Sequence, residues 1–181
     1  MRDYDGYFSD WIHGRILPDS LQSFVDFVKS QVPQDSPIVE IGCGNGLVAA
    51  ALAEDGYNVT AIDIRYPAIT EPFAFMLASA YSEEFYSFLQ KGTTLIARRS
   101  LCLFYSEEWI QEINETQIAL IVSEALDGEK HSYRNANMEA RFLRAHGWEA
   151  DVEGKFLVAR RTPPKKQRKP KSQETEESAP E

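Results

Sequence analysis

The chain has 181 residues, of which 43% are apolar and 26% charged, and a formal net charge of −9. This length suits one domain with a substantial hydrophobic core, and the composition is that of an ordinary soluble globular protein. No apolar run of about 18 residues marks a membrane span, and the negative balance disfavours a broad phosphate-binding surface of the kind duplex DNA demands.

The opening MRDYDGYFSDW lacks the basic start and apolar stretch of a signal peptide. The two cysteines, Cys43 and Cys102, form neither a disulfide framework nor a CxxC metal pair. The expectation is a cytoplasmic protein with no metal site and no membrane association. Residues 1–33 read as an N-terminal arm, with Tyr4, Tyr7, Phe8 and Trp11 as packing or lid aromatics, followed by a helix. In SLQSFVDFVKSQV, Leu21, Phe24, Val25 and Val28 recur at helical spacing, with Pro18 and Asp19 or Ser20 as the start. Pro33 and Pro37 bracket a loop. PIVEIGC is brief and β-branched, the pattern of a buried strand. GNGLVAAALAEDG follows as a helix closed by Gly56, and NVTAIDI is a second strand. Strand, glycine turn, helix and strand make a βαβ unit with a parallel sheet.

The middle is open to two readings, since FAFMLASAY suits a third strand or part of a helix. SEEFYSFLQKG reads as a helix that Gly92 ends. TTLIARRSLCLF is a fourth strand running into a loop, YSEEWIQEINE a helix, QIALIVSEALDG a fifth strand and ANMEARFLRAHG a helix. His146 stands beside Gly147 at its C-terminal end, where a cation suits the helix dipole. WEADVEGKFLVARR is an antiparallel hairpin turned around Glu153-Gly154. The fold class is therefore α/β, a three-layer Rossmann-like mixed sheet, mostly parallel with an antiparallel C-terminal hairpin strand. The domain spans 1–162. The tail 163–181 holds five basic residues followed by four acidic ones and no large apolar side chain, a disordered composition.

The first turn reads Glu40-Ile41-Gly42-Cys43-Gly44-Asn45-Gly46. Glycines let a ligand approach the backbone closely, and the helix that follows offers free N–H groups to a carboxylate or phosphate. Asp63, 21 residues after Gly42, stands at the end of the second strand, where an acid accepts hydrogen bonds from ribose hydroxyls. The dinucleotide fingerprint G-x-G-x-x-G would need glycine at position 47, which is Leu47.

The pattern E-x-G-x-G-x-G closely resembles motif I of the class I S-adenosylmethionine (SAM)-dependent methyltransferases, and VTAIDI resembles their second strand with its ribose-binding acid. The resemblance is specific over about Ile38 to Arg65 and architectural beyond. It implies SAM as cofactor, with Gly42, Gly44 and Gly46, together with Cys43 and Asn45, lining its methionine and ribose portions. It further implies Glu40 toward the methionine amino group, Asp63 on the ribose hydroxyls and Ile64 against the adenine.

The chain departs from the family at the end of the third strand. There an acid or polar residue often contacts the adenine amino group, and Leu77-Ala78-Ser79-Ala80-Tyr81 leaves Ser79 or the backbone for the task. The Asp/Asn-Pro-Pro-aromatic motif of amino-methyltransferases and the Pro-Cys nucleophile of cytosine C5 enzymes are both absent. At the acceptor position stands Arg98-Arg99-Ser100-Leu101-Cys102, which suits an anionic acceptor or the SAM carboxylate, or else pairs with acids. Candidates for a catalytic role are Glu124, His131, Tyr133 and Arg99, with His13 in the N-terminal segment; each has an ordinary structural role as its alternative. A general base is needed only where the acceptor must lose a proton.

The leading expectation is a SAM-dependent methyltransferase acting on a nucleophilic N or O of a small molecule or a protein side chain. Its alternative is an inactive SAM- or nucleotide-binding module or regulatory partner subunit. The basic stretch Lys165–Lys171 is a candidate contact for nucleic acid or an acidic partner, or a solubilising terminus.

Overall fold

The computed structural model describes residues 16–104, 106–125 and 135–161. Tyr4, Tyr7, Phe8, Trp11, His13, His131, Tyr133 and the charged tail lie outside the described residues.

In chain order the elements are α1 (Asp19–Gln31), β1 (Ile38–Ile41), α2 (Leu47–Glu54), β2 (Val59–Asp63), β3 (Ala74–Leu77), α3 (Glu83–Phe88), β4 (Thr94–Arg98), α4 (Glu107–Glu115), β5 (Leu120–Glu124), α5 (Ala136–Ala145), β6 (Trp148–Glu153) and β7 (Phe156–Arg161). A short 3₁₀ turn covers Leu101–Leu103. The strands form one sheet in the order β3-β2-β1-β4-β5-β7-β6. The first five are parallel, and β7 runs antiparallel to both β5 and β6.

Alternation along the strands sends side chains to two cores, one on each face. Val39, Ile41, Leu95, Ala97 and Ile121 face a core completed by Phe85 of α3, Trp109, Ile110 and Ile113 of α4, and Leu143 of α5. Ile38, Ile96 and Val122 face the opposite core, filled by Phe24, Val25 and Val28 of α1 and by Leu47 to Leu52 of α2. The three-layer mixed sheet is as the sequence leads one to expect. The ambiguous FAFMLASAY supplies β3, which among the described residues is an edge strand paired to β2 alone.

Two local expectations shift. The helix over SEEFYSFLQKG stops at Phe88, not at Gly92: Leu89 is extended and buried, and Gly92 takes its positive φ of 84° in the turn before β4. The hairpin turns on Gly154-Lys155, because Glu153 still pairs with Phe156. Glycine with φ 61° therefore stands first in a two-residue loop, as a II′-type hairpin requires. Since β7 runs against β5 and Glu124 pairs with Phe156, this turn lies at the same rim as the C-terminal ends of β4 and β5.

One buried acid sits in the α4/α5 layer. Glu139, in the first turns of α5, accepts a 2.8 Å hydrogen bond from Ser123 Oγ of β5. Burial pushes its carboxyl up to about 8 from an ordinary 4.5. Between those values the folded chain retains a proton that the unfolded chain releases. Stability linked to this group is thus full at acid pH and falls as the pH rises toward 8. Glu139→Gln keeps an oxygen for Ser123 and removes that dependence. Thermal melts should show a Tm equal to or below wild type at pH 4.5 and above it at pH 8.5, by roughly 2–4 °C per kcal/mol recovered.

Candidate functional site

β1 is buried along its whole length, and Glu40 is its third residue, only 2% exposed. It faces the α1/α2 layer, as Ile38 does. Its Oε2 has no hydrogen-bond partner among the described residues. Burial pushes the carboxyl up to about 8; the backbone N–H of Ala49 in the first turn of α2 and the nearby Arg98 pull it down, and Asp63 adds to the rise.

The loop after Glu40 is built from three glycines at positive φ: Gly42 at 67°, Gly44 at 58° and Gly46 at 84°. The first and third have no room for a side chain. A Cβ on Gly42 would stand 2.8 Å from Ser100 Cβ, and one on Gly46 would stand 2.6 Å from the Ile69 carbonyl oxygen. Gly44 differs, since nothing lies within 4 Å of the direction its Cβ would take. Packing accounts for Gly42 and Gly46, whereas Gly44 faces open space.

Backbone bonds tie the loop to β2. Ile62 O accepts from the N–H groups of Gly42 at 2.8 Å and Cys43 at 3.3 Å, and Gly46 N–H donates to Cys43 O at 3.0 Å. Asp63 ends β2 and accepts from Gly44 N–H at 2.9 Å and from Arg65 N–H at 3.1 Å, one bond on each carboxylate oxygen. Each oxygen keeps a further lone pair, and the side chain is only partly buried. Asn45 Oδ1 accepts from Leu47 N–H at 3.3 Å, and its carbonyl accepts from Ile69. Cys43 is buried within the loop, and desolvation holds its thiol protonated. Ile64, next to Asp63, is 70% exposed, an apolar platform at the rim. Ser79 follows β3, accepts from Tyr81 N–H at 3.2 Å and is partly buried. Glu40, Asp63, Ile64 and Ser79 thus fall within two residues of the C-terminal ends of β1, β2 and β3, where open α/β sheets bind ligands.

Beside this half of the rim is a charged cluster. Glu124 at the end of β5 is buried, and three cations contact its carboxylate. Arg98 Nε lies 2.7 Å from Oε2, out of line for a hydrogen bond, while Arg99 at 3.3 Å and Lys155 at 2.9 Å share Oε1. A carboxylate held this way anchors cations. Arg98 also donates to Ser20 Oγ of α1 at 3.4 Å. Arg99 sits at φ 58°, in the left-handed region that non-glycine residues rarely occupy, with its N–H bonded to Glu124 O at 2.7 Å.

Sequence reasoning singled out neither Lys155 nor the separate task of Ser100. Ser100 donates to Ile41 O at 2.7 Å and fills the space a side chain on Gly42 would need. An antiparallel last strand next to the fifth was the available signal for Lys155. A cavity of about 560 Å³ along α5, lined by Asn135, Met138, Arg141 and Arg144, contains none of the loop residues. Among the described residues, no cluster of His, Cys, Asp and Glu could hold a metal, and no helix is long and apolar enough to cross a membrane.

Residues 39–85 match a methyltransferase domain family. A ubiquinone biosynthesis O-methyltransferase of Rickettsia bellii is 43% identical over 61 residues, 33% of this chain and 25% of that protein. The chain thus spans about a quarter of the length of the curated relatives it matches. Among solved structures, magnesium protoporphyrin IX methyltransferase from Synechocystis PCC 6803 with bound SAM superposes with a TM-score of 0.58 at 17% identity, covering 79% of this chain and 78% of that one. The 1,6-didemethyltoxoflavin-N1-methyltransferase of Burkholderia thailandensis superposes with a TM-score of 0.58 at 16% identity, covering 88% and 87%. The fold is that of the class I, Rossmann-like SAM-dependent methyltransferases.

The glycine geometry separates two positions closed by packing from one that faces open space. Gly44→Ala should cost only the left-handed penalty of about 1–2 kcal/mol. Gly42→Ala and Gly46→Ala add a clash to a similar penalty and should lower Tm further. Thermal melts of the three single variants check that order.

Proposed function

We propose that this chain, built on the class I methyltransferase fold, binds SAM at the glycine loop and transfers its methyl group to a nucleophilic oxygen or nitrogen of a small molecule or protein side chain. The observation that carries the reading is Glu40: a buried carboxyl with one unpartnered oxygen, two residues before a loop whose central glycine is open. An α-amino group is the kind of cation such an oxygen suits. Asp63, already fixed by Gly44, offers its remaining lone pairs to ribose hydroxyls, and the exposed face of Ile64 suits an adenine ring.

When bound, SAM supplies a methyl group on a sulfonium centre that is already a good leaving group. What the protein adds is position. Gly42, packed on Ser100, and Gly46, packed on Ile69, hold the loop at one height above the sheet, and orientation of that kind accounts for much of the acceleration in a bimolecular transfer. The name of the Rickettsia relatives favours oxygen as the acceptor atom. With Glu124 engaged by three cations, an acceptor that ionises readily is favoured over one that needs a strong base.

Calorimetry with SAM, S-adenosylhomocysteine and NAD tests the cofactor. The first two should bind and NAD should not, and Gly44→Arg should abolish binding while leaving a cooperative melt. Binding of SAM undiminished in Gly44→Arg would sink the reading. Radiolabelled methyl transfer into fractionated lysate then separates an enzyme from a binding module, since a module labels no fraction.

The raised carboxyl adds a linked prediction. A cation placed on Glu40 requires its ionised form, so SAM binding at pH 7 should release a proton and tighten as the pH rises toward 8. Titrations in two buffers of different ionisation enthalpy should report that release, and Glu40→Gln should remove the Glu40 share of it.

A further inference from the structure

On the methyltransferase reading, the acceptor approaches the cofactor from the half of the rim beyond β1, over β4, β5 and the β6–β7 turn. Three cations converge there on one carboxylate. Arg98 is spent internally: its side chain is 18% exposed and lies against Glu124 Oε2. Arg99 and Lys155 are different. Their side chains are 43% and 39% exposed, and they divide a single oxygen, Oε1, between them. Among the described residues neither makes a second ion pair. Among the described residues one carboxylate faces three cations, so this part of the cluster carries surplus positive charge at the rim.

Both cations are held in place. The left-handed backbone of Arg99 is fixed by its N–H bond to Glu124 O, and strain of this sort gathers at functional positions. Lys155 is fixed by the tight turn and by Ala125 N–H, which donates to its carbonyl at 2.9 Å. The residue after Arg99 is Ser100, which touches the glycine loop through Gly42 and Ile41. The surplus charge therefore adjoins the cofactor loop and does not lie on a remote face.

We propose that Arg99 and Lys155 form an anion subsite that holds a carboxylate or phosphate group of the methyl acceptor; the proposal rests on the methyltransferase reading above. The guanidinium offers a planar fork and the ammonium a point charge, a pairing suited to an oxyanion. Glu124 positions both cations from behind. The acceptor class is thus an anionic small molecule whose nucleophilic atom is set at a fixed distance from its own acidic group.

The test uses the full chain loaded with S-adenosylhomocysteine. The binding of that ligand, measured first, reports on the cofactor reading by itself. Arginine side-chain N–H resonances are then followed during titration with benzoate, inorganic phosphate and, as the uncharged control, benzamide. Benzoate or phosphate should shift the Arg99 signal saturably and benzamide should not. Arg99→Gln, followed by calorimetry, and Lys155→Gln should each weaken anion binding about tenfold or more, and Arg99→Lys should restore part of it. Arg141→Gln on the exposed face of α5 should leave it unchanged. Absence of a saturable anion response would overturn the proposal. So would a loss of S-adenosylhomocysteine affinity in Arg99→Gln and Lys155→Gln as large as the loss of anion binding, because the cluster would then serve the cofactor's own carboxylate.

Discussion

No side chain fits between Gly42 and Ser100, and much of the rim depends on that contact. The loop after β1 and the turn after β4 come together there, closed by the hydrogen bond from Ser100 to Ile41 O. For Ser100 to reach back to Ile41, the chain must turn sharply as soon as β4 ends. Arg99 makes the turn in a left-handed conformation, stabilised by its bond to Glu124 O. One close approach thus fixes the height of the glycine loop and the point where the charged cluster leaves the sheet.

The βαβ half of this arrangement was readable from the sequence because its information is local. A short β-branched run, three glycines, a run of small apolar residues and a strand ending in Asp63 follow one another without interruption. Each supports the βαβ reading for its own physical reason. The misplaced end of α3 has the opposite character. Gly92 is a good stop signal, yet the chain leaves the helix at Leu89, which is drawn into the core between α3 and β4. The hairpin turn moved by one residue because its register is set by pairing with β5 as well as by the turn residues.

The charged cluster shows where local reading ends. Glu124 and Lys155 are 31 residues apart, and Arg99 is 25 residues from Glu124. Nothing near any of them signals that they meet. The end of β5 identifies Glu124 as a rim residue, and by position alone it is a fair candidate for a base. Only the sheet order, with β7 inserted antiparallel beside β5, places the Lys155 turn against it. The same order makes Glu124 an anchor for cations.

Glu40 and Glu124 project from the same face of the sheet near the same rim, and Arg98 stands close enough to influence both. The chain treats them in opposite ways. Glu124 is buried with three cations, which offset the cost of removing its charge from water. Glu40 is buried with one oxygen unpartnered, and a polar atom left so costs on the order of 1–3 kcal/mol. Arg98 does not close that gap, because the sheet register directs it to Glu124: Arg98 pairs across to Glu124, while Glu40 pairs with Ile96, two residues earlier. A modest change in register would have neutralised Glu40 from within. As built, among the described residues the fold commits Arg98, Arg99 and Lys155 to Glu124 and leaves Glu40 Oε2 unpartnered. On the proposed reading, the stability lost at Glu40 is recovered when the cofactor's amino group arrives.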